Sequence, residues 1–127
     1  MDTFNQFDNG QLSLPDRCIK FADLQWNEHP VFKGVALKHI VTAADTDGRF
    51  SYHLVRIDPN CTIGQHVHAT QLETHEVVEG SGVCTNDGKS IDYKPGTISV
   101  IYANVGHEVK ASASGLYLFA KFMPALC

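Results

Sequence analysis

The residues of this sequence best suited to chemistry are His66 and His68, separated by one position. Successive side chains of an extended strand point to opposite faces, so an H-x-H pair presents both imidazoles to one side. Glu73 follows after four intervening residues, and Gly80 and Gly82 close a short apolar run at Val77 and Val78. Imidazoles and a carboxylate together are ligands for Zn, Mn, Fe or Ni. A fourth ligand would have to come from a distant part of the chain, and His107, in the stretch NVGHEV, is the candidate.

Other residues are placed around this set by the same periodicity. His75 lies two residues beyond Glu73 and faces the same way on an unbroken strand. There it would either orient Glu73 or carry a proton, the one catalytic candidate outside the ligands. His53 shares a face with Val55 and Ile57 and is a candidate for the pocket. Gln71 either bonds a ligand or turns the chain. His29 and His39 read as surface residues, and Tyr52, Tyr102, Phe119 and Phe122 as core.

The pattern His66-x-His68-x4-Glu73-x6-Gly80 resembles the first motif of the cupin superfamily, and Gly96-x10-His107 resembles the second. The two motifs span residues 60–82 and 96–111. The fifteen residues between Gly80 and Gly96 suit a short hairpin. Asn60 stands where the first motif usually opens with Gly, and Tyr102, Asn104 and Ala111 replace the second motif's usual Pro, Gly and Asn. Asn tolerates the left-handed backbone better than most residues, so Asn60 and Asn104 are mild departures.

The resemblance implies an all-β fold, a small double-stranded β-helix or jelly-roll barrel in a single domain. It implies one divalent transition metal (Fe, Mn, Ni or Zn) held by His66, His68, Glu73 and His107, with coordination positions left open. The expected function is a metalloenzyme of dioxygenase, isomerase or lyase type acting on a small polar molecule. A non-catalytic, small-molecule or metal-dependent sensing module is the alternative. The resemblance also implies a homodimer.

The elements that must position these residues are strands. The stretch Phe50–Ile57 alternates Phe50, Tyr52 and Leu54 against Ser51, His53, Val55 and Ile57. Strands are also expected within Val31–Thr42 and Ile98–Tyr102, which are rich in β-branched residues. Asn86-Asp87-Gly88-Lys89 is a strong hairpin turn. Ala43–Gly48 and Ser112–Gly115 read as turns, the latter separating strands at His107–Ala111 and Leu116–Met123. Residues 1–14 show no sustained period and read as a loose N-terminal arm, or a strand lent to a partner, leaving 15–127 as the barrel domain. No amphipathic helix longer than about two turns is expected.

Composition sets the outer bounds. At 127 residues the chain suits one domain with its own core. The net charge is −4 and no Lys/Arg block occurs, which disfavours a nucleic-acid partner. No apolar run approaches a membrane span. The polar, acidic start MDTFNQFDNG does not read as a signal peptide, so a cytoplasmic location is expected. Cys18, Cys61, Cys84 and Cys127 fall in no metal-ribbon spacing and are expected to be free thiols.

Overall fold

The computed structural model describes residues 2–127, and Met1 lies outside the described residues. The fold is all-β. Among the described residues, two short α-helices, α1 (Asp2–Asp8) and α2 (Ala43–Thr46), and a 3-10 turn at Phe21–Asp23 accompany ten strands. These are β1 (Gln11–Ser13), β2 (Cys18–Lys20), β3 (Asn27–Glu28), β4 (Val35–Val41), β5 (Ser51–Ile57), β6 (Thr62–His66), β7 (Leu72–Asn86), β8 (Lys89–Tyr93), β9 (Ile98–Ile101) and β10 (His107–Met123). β1 and β2 form a small ribbon. The others form one antiparallel sheet in the order β3-β4-β5-β10-β7-β8, with β6 added to β10 and β9 added to β7.

The long strands β7 and β10 close the barrel. The C-terminal half of β10 pairs with β5 on one side, and its N-terminal half pairs with β6. β7 runs beside β10 along both halves, pairing in addition with β9 and then β8. Both strands therefore bend through two layers, as in a jelly roll. The expected turn at Ser112–Gly115 is instead a bulged stretch inside the continuous β10, where the register to β7 shifts between Ala111 and Leu116. Gly80 makes this possible. Its φ is +80°, and a Cβ there would come within 2.2 Å of the Gly115 carbonyl oxygen.

Local chemistry explains the turns. Asp87 and Gly88 both have positive φ, as a two-residue hairpin of type I′ requires, and Asn86 pairs with Lys89 across it. Asn60 and Asn104 adopt φ of 62° and 64°, the left-handed backbone for which Asn substitutes for Gly. At Ala43–Thr46 a single helical turn replaces the expected plain turn. The Asp45 carboxylate accepts the Thr42 N–H at 3.0 Å, and Asp47 ends the turn in the left-handed region.

Alternation sorts the core into two. From β5 and β10, Val55, Ile57, Leu118, Ala120 and Phe122 point into the barrel, with Val35, Val109 and Tyr93. Leu54, Phe119, Tyr52 and Tyr117 point out of it. That outer face is apolar and needs a cover, and the N-terminal residues supply it. Residues 2–13 are thus not a loose arm but α1 and β1. Phe4 is buried, its ring 4.2 Å from that of Tyr117, and Phe7 meets Phe119 edge-on at 4.8 Å. Glu79 on β7 accepts the N–H groups of Thr3 and Phe4 at the start of α1. Burying such aromatic faces is worth about 1.5–3 kcal/mol per side chain, enough to order a short segment. Tyr102, expected in the core, is instead exposed beyond the end of β9.

Candidate metal centre

His66 ends β6 and pairs directly with His107, the first residue of β10. His68 lies two residues past the end of β6, so the H-x-H pair straddles a strand end. Glu73 enters from β7, whose partner at that point is Phe122 of β10. One donor atom from each of His66, His68, Glu73 and His107 can be chosen so that all lie within 4.8 Å of one another. The rings of His66 and His107 are 4.1 Å apart.

The orientation of each ring is set by the backbone. His66 Nδ1 donates to the Gly64 carbonyl at 2.7 Å, and His107 Nδ1 to the Val105 carbonyl at 3.0 Å. Each thereby keeps Nε2 as its free nitrogen, the tautomer control seen when a ring is held for a cation. Burial pushes the His66 and His68 rings toward the neutral form, which is the ligating form. Glu73 Oε1 lies 3.1 Å from His107 Nε2 and 3.5 Å from His68 Nε2. Yet neither Glu73 Oε1 nor His107 Nε2, both buried, makes an aligned hydrogen bond. Burial would raise the Glu73 carboxyl, but His75 and His107 outweigh it and hold it well below the usual carboxylate range.

His75 is buried and both its ring nitrogens are engaged. Nε2 donates to Glu73 Oε2 at 2.7 Å, and Nδ1 lies 2.8 Å from the Tyr93 hydroxyl. Burial opposes charge on this ring, but the Glu73 carboxylate raises it to about 9. The geometry is that of a group that aims Glu73, with no nitrogen left for a second partner.

An apolar cavity of about 260 Å³ opens beside the cluster. The remaining site candidates stand differently around it. His53 is fully buried behind the wall, with Nδ1 2.8 Å from His39 Nδ1 and Nε2 2.7 Å from Ser51 Oγ. Gln71 donates to the carbonyl of Ala125 at 3.0 Å, tying down the C-terminal segment whose Leu126 lines the cavity. His29 and His39, expected at the surface, are half-buried cavity residues. The signal for His39 was its alternation with Val35 and Leu37, two apolar residues on the same face of β4. His29 precedes Pro30, and only the packing of the β3–β4 connection brings it to the cavity.

The architecture is thus a small jelly-roll barrel carrying a His/Glu donor cluster at the wall of a half-open, largely apolar cavity. The chain belongs to the cupin family: residues 53–117 match the model of the cupin domain. No curated protein sequence matches it. Among solved structures, it is similar to a predicted oxalate decarboxylase from Thermotoga maritima, with a TM-score of 0.74 and 16% identity over 81% of this chain and 95% of that one. It is similar also to an RmlC-like cupin from Shewanella frigidimarina, with TM-score 0.71 and 17% identity over 91% and 95% of the two chains. KdgF from Halomonas sp. aligns with TM-score 0.71 and 18% identity over 81% and 88%. At these identities the likeness is one of fold. Among the described residues, no helix is long and apolar enough to cross a membrane.

Proposed function

We propose that His66, His68, Glu73 and His107 bind one divalent transition metal, and that the protein is a metal-dependent enzyme of dioxygenase, isomerase or lyase type acting on a small molecule in the adjoining cavity. One observation carries the metal reading. Glu73 Oε1 and His107 Nε2 are buried, close together and without hydrogen bonds. Each such atom costs about 1–3 kcal/mol if nothing satisfies it, and a shared cation satisfies both. A bound divalent ion would supply Lewis acidity toward a substrate oxygen. The chain's own part is to aim Glu73 through His75 and Tyr93 and to exclude water with apolar walls. The catalytic role for His75 reduces to positioning in this reading, because both its nitrogens are committed.

That same commitment favours the second reading, a binding or sensing module, since an enzyme needs a free proton carrier near the metal. Metal analysis of protein purified without added metal tests the first claim, with His107→Ala as the control. Full occupancy in that variant would reject the ligand set. Screening Fe-, Mn-, Ni- and Zn-loaded protein for turnover separates the readings: saturable binding without turnover in any form supports the sensor.

Two further parts of the proposal concern setting. The four cysteines are free thiols in the fold, which suits a reducing cytoplasm. Ile98, Val100 and Tyr102 form an exposed apolar row at and just beyond β9, whose only strand partner among the described residues is β7. This row is our candidate face for a homodimer. Sedimentation of Val100→Lys against the unaltered chain tests it, and a monomer in both at high micromolar concentration rejects it.

A further inference from the structure

The walls of the cavity define a ligand class narrower than "small polar molecule". Its lining is dominated by Leu37, Val55, Ile63, Val109, Leu118 and Phe122. Among the described lining residues there is no Lys or Arg. The cations of the flanking strands face away from it by strand alternation. Lys38 on β4 is buried on the outer face, paired with Asp8 and the Phe21 carbonyl. Arg56 on β5 lies against Trp26, near Glu28 and Asp58. The charged lining residues are Glu73 with the His75 ring that pairs with it, and Glu28, an exposed carboxylate beside Arg56.

The uncharged polar lining residues outside the donor cluster are Asn27, whose Nδ2 donates to the carbonyls of Gln25 and Leu37, with His29 and His39. His29 Nδ1 accepts the N–H groups of Val31 and Phe32, each at 3.1 Å, so its proton sits on Nε2 and the ring offers a donor without charge. His39 has Nδ1 engaged with His53, leaving Nε2 as its free nitrogen. Burial pushes both rings toward neutrality. The cavity is also compact, just below the range of about 300–1,000 Å³ usual for ligand pockets.

We propose that this site selects a compact molecule with an apolar body and a single chelating, oxygen-bearing head of charge zero or minus one, with His29 and His39 as its polar contacts away from the metal donors. The inference rests on the metal reading above. A divalent ion outweighs the single carboxylate of Glu73, so the donor cluster is net positive and meets a negative charge on the head. A second negative charge, held away from the donor cluster, would be desolvated against aliphatic walls that carry no Lys or Arg. A polyol would bury hydroxyls for which the walls offer too few partners. Branched 2-oxo monocarboxylates and enolisable diketones fit this description, whereas dicarboxylates and sugar acids do not.

The test is a matched pair of probes sharing one chelating head. 4-Methyl-2-oxopentanoate ends in a branched alkyl group, and 2-oxoglutarate ends in a carboxylate. D-gluconate supplies the polyol arm. Binding is read by calorimetry and by the visible spectrum of cobalt-loaded protein, after metal content has been measured on the same sample. The expected result is at least tenfold tighter binding of 4-methyl-2-oxopentanoate than of either other probe. His39→Gln and His29→Gln should each weaken that binding several-fold at unchanged metal content. Equal or tighter binding of 2-oxoglutarate or gluconate by metal-loaded protein overturns the ligand class alone. Unchanged affinity in both variants overturns the role given to the two histidines. Failure of any divalent ion to load overturns the metal reading itself, and this inference with it.

Discussion

His53 makes the metal-free protein acid-sensitive in a way that one substitution isolates. Burial, with a smaller contribution from neighbouring His39, pushes its ring from 6.5 down to about 4, and the Glu73 charge opposes this only in part. The groups facing it are His39, Ser51, the ring of Phe122 and the Cys127 thiol, whose sulfur lies within 4.8 Å of a ring nitrogen. The unfolded chain takes up a proton near pH 6.5, whereas the folded chain does so only near pH 4. Stability from this residue is therefore complete above about pH 6.5 and is lost as pH falls through the folded value. A shift of about 2.5 units corresponds to about 3.4 kcal/mol in full, of which about 2 kcal/mol is already lost at pH 5. For a domain of this size that is a fall in Tm of roughly 7–8 °C. Urea unfolding with excess chelator, at pH 7.5 and pH 5, measures it free of metal release. His53→Gln should start less stable, because it disturbs the contacts to His39 and Ser51, but should lose about 2 kcal/mol less between the two pH values. Equal losses in both proteins would refute the claim that the fold holds His53 neutral.

Three further outcomes follow from the same geometry. Gly80→Ala should cost at least about 2 kcal/mol in urea unfolding, since it combines a positive φ with a clash on the Gly115 carbonyl; a loss under 0.5 kcal/mol would contradict the bulge geometry. Phe4→Ala should cost about 3 kcal/mol by opening the cover over Tyr117 and Trp26, while leaving metal content unchanged. A divalent ion at about a hundred times its Kd should stabilise the protein by about 2.7 kcal/mol, or roughly 10 °C in Tm, reversed by chelator; no shift with any of Fe, Mn, Ni or Zn would count against the donor cluster as a metal site.

Much of the positioning machinery was legible in the chain because it is local. The Asp87-Gly88 hairpin, the left-handed Asn60 and Asn104, and the two-sided alternation of Ser51–Ile57 each depend on the conformational preference of a few adjacent residues. The grouping of His66, His68, Glu73 and His107 was expected from their spacing and the resemblance to the cupin motifs together, and the fold brings the four side chains together. What only the tertiary structure decided was non-local. Ser112–Gly115 has turn composition, yet it stays in β10 because β7 runs beside it and Gly80 admits the close approach. Residues 2–13 have no period of their own and become ordered because the outward side chains of β5 and β10 need a cover. His75 carries the same side chain whether it moves protons or aims a carboxylate. Its partnership with Tyr93, eighteen residues away, leaves it no free nitrogen. His39 reaches the cavity because β4 lies against β5 in the closed barrel, and His29 because the β3–β4 connection packs there; burial lowers the proton affinity of both rings.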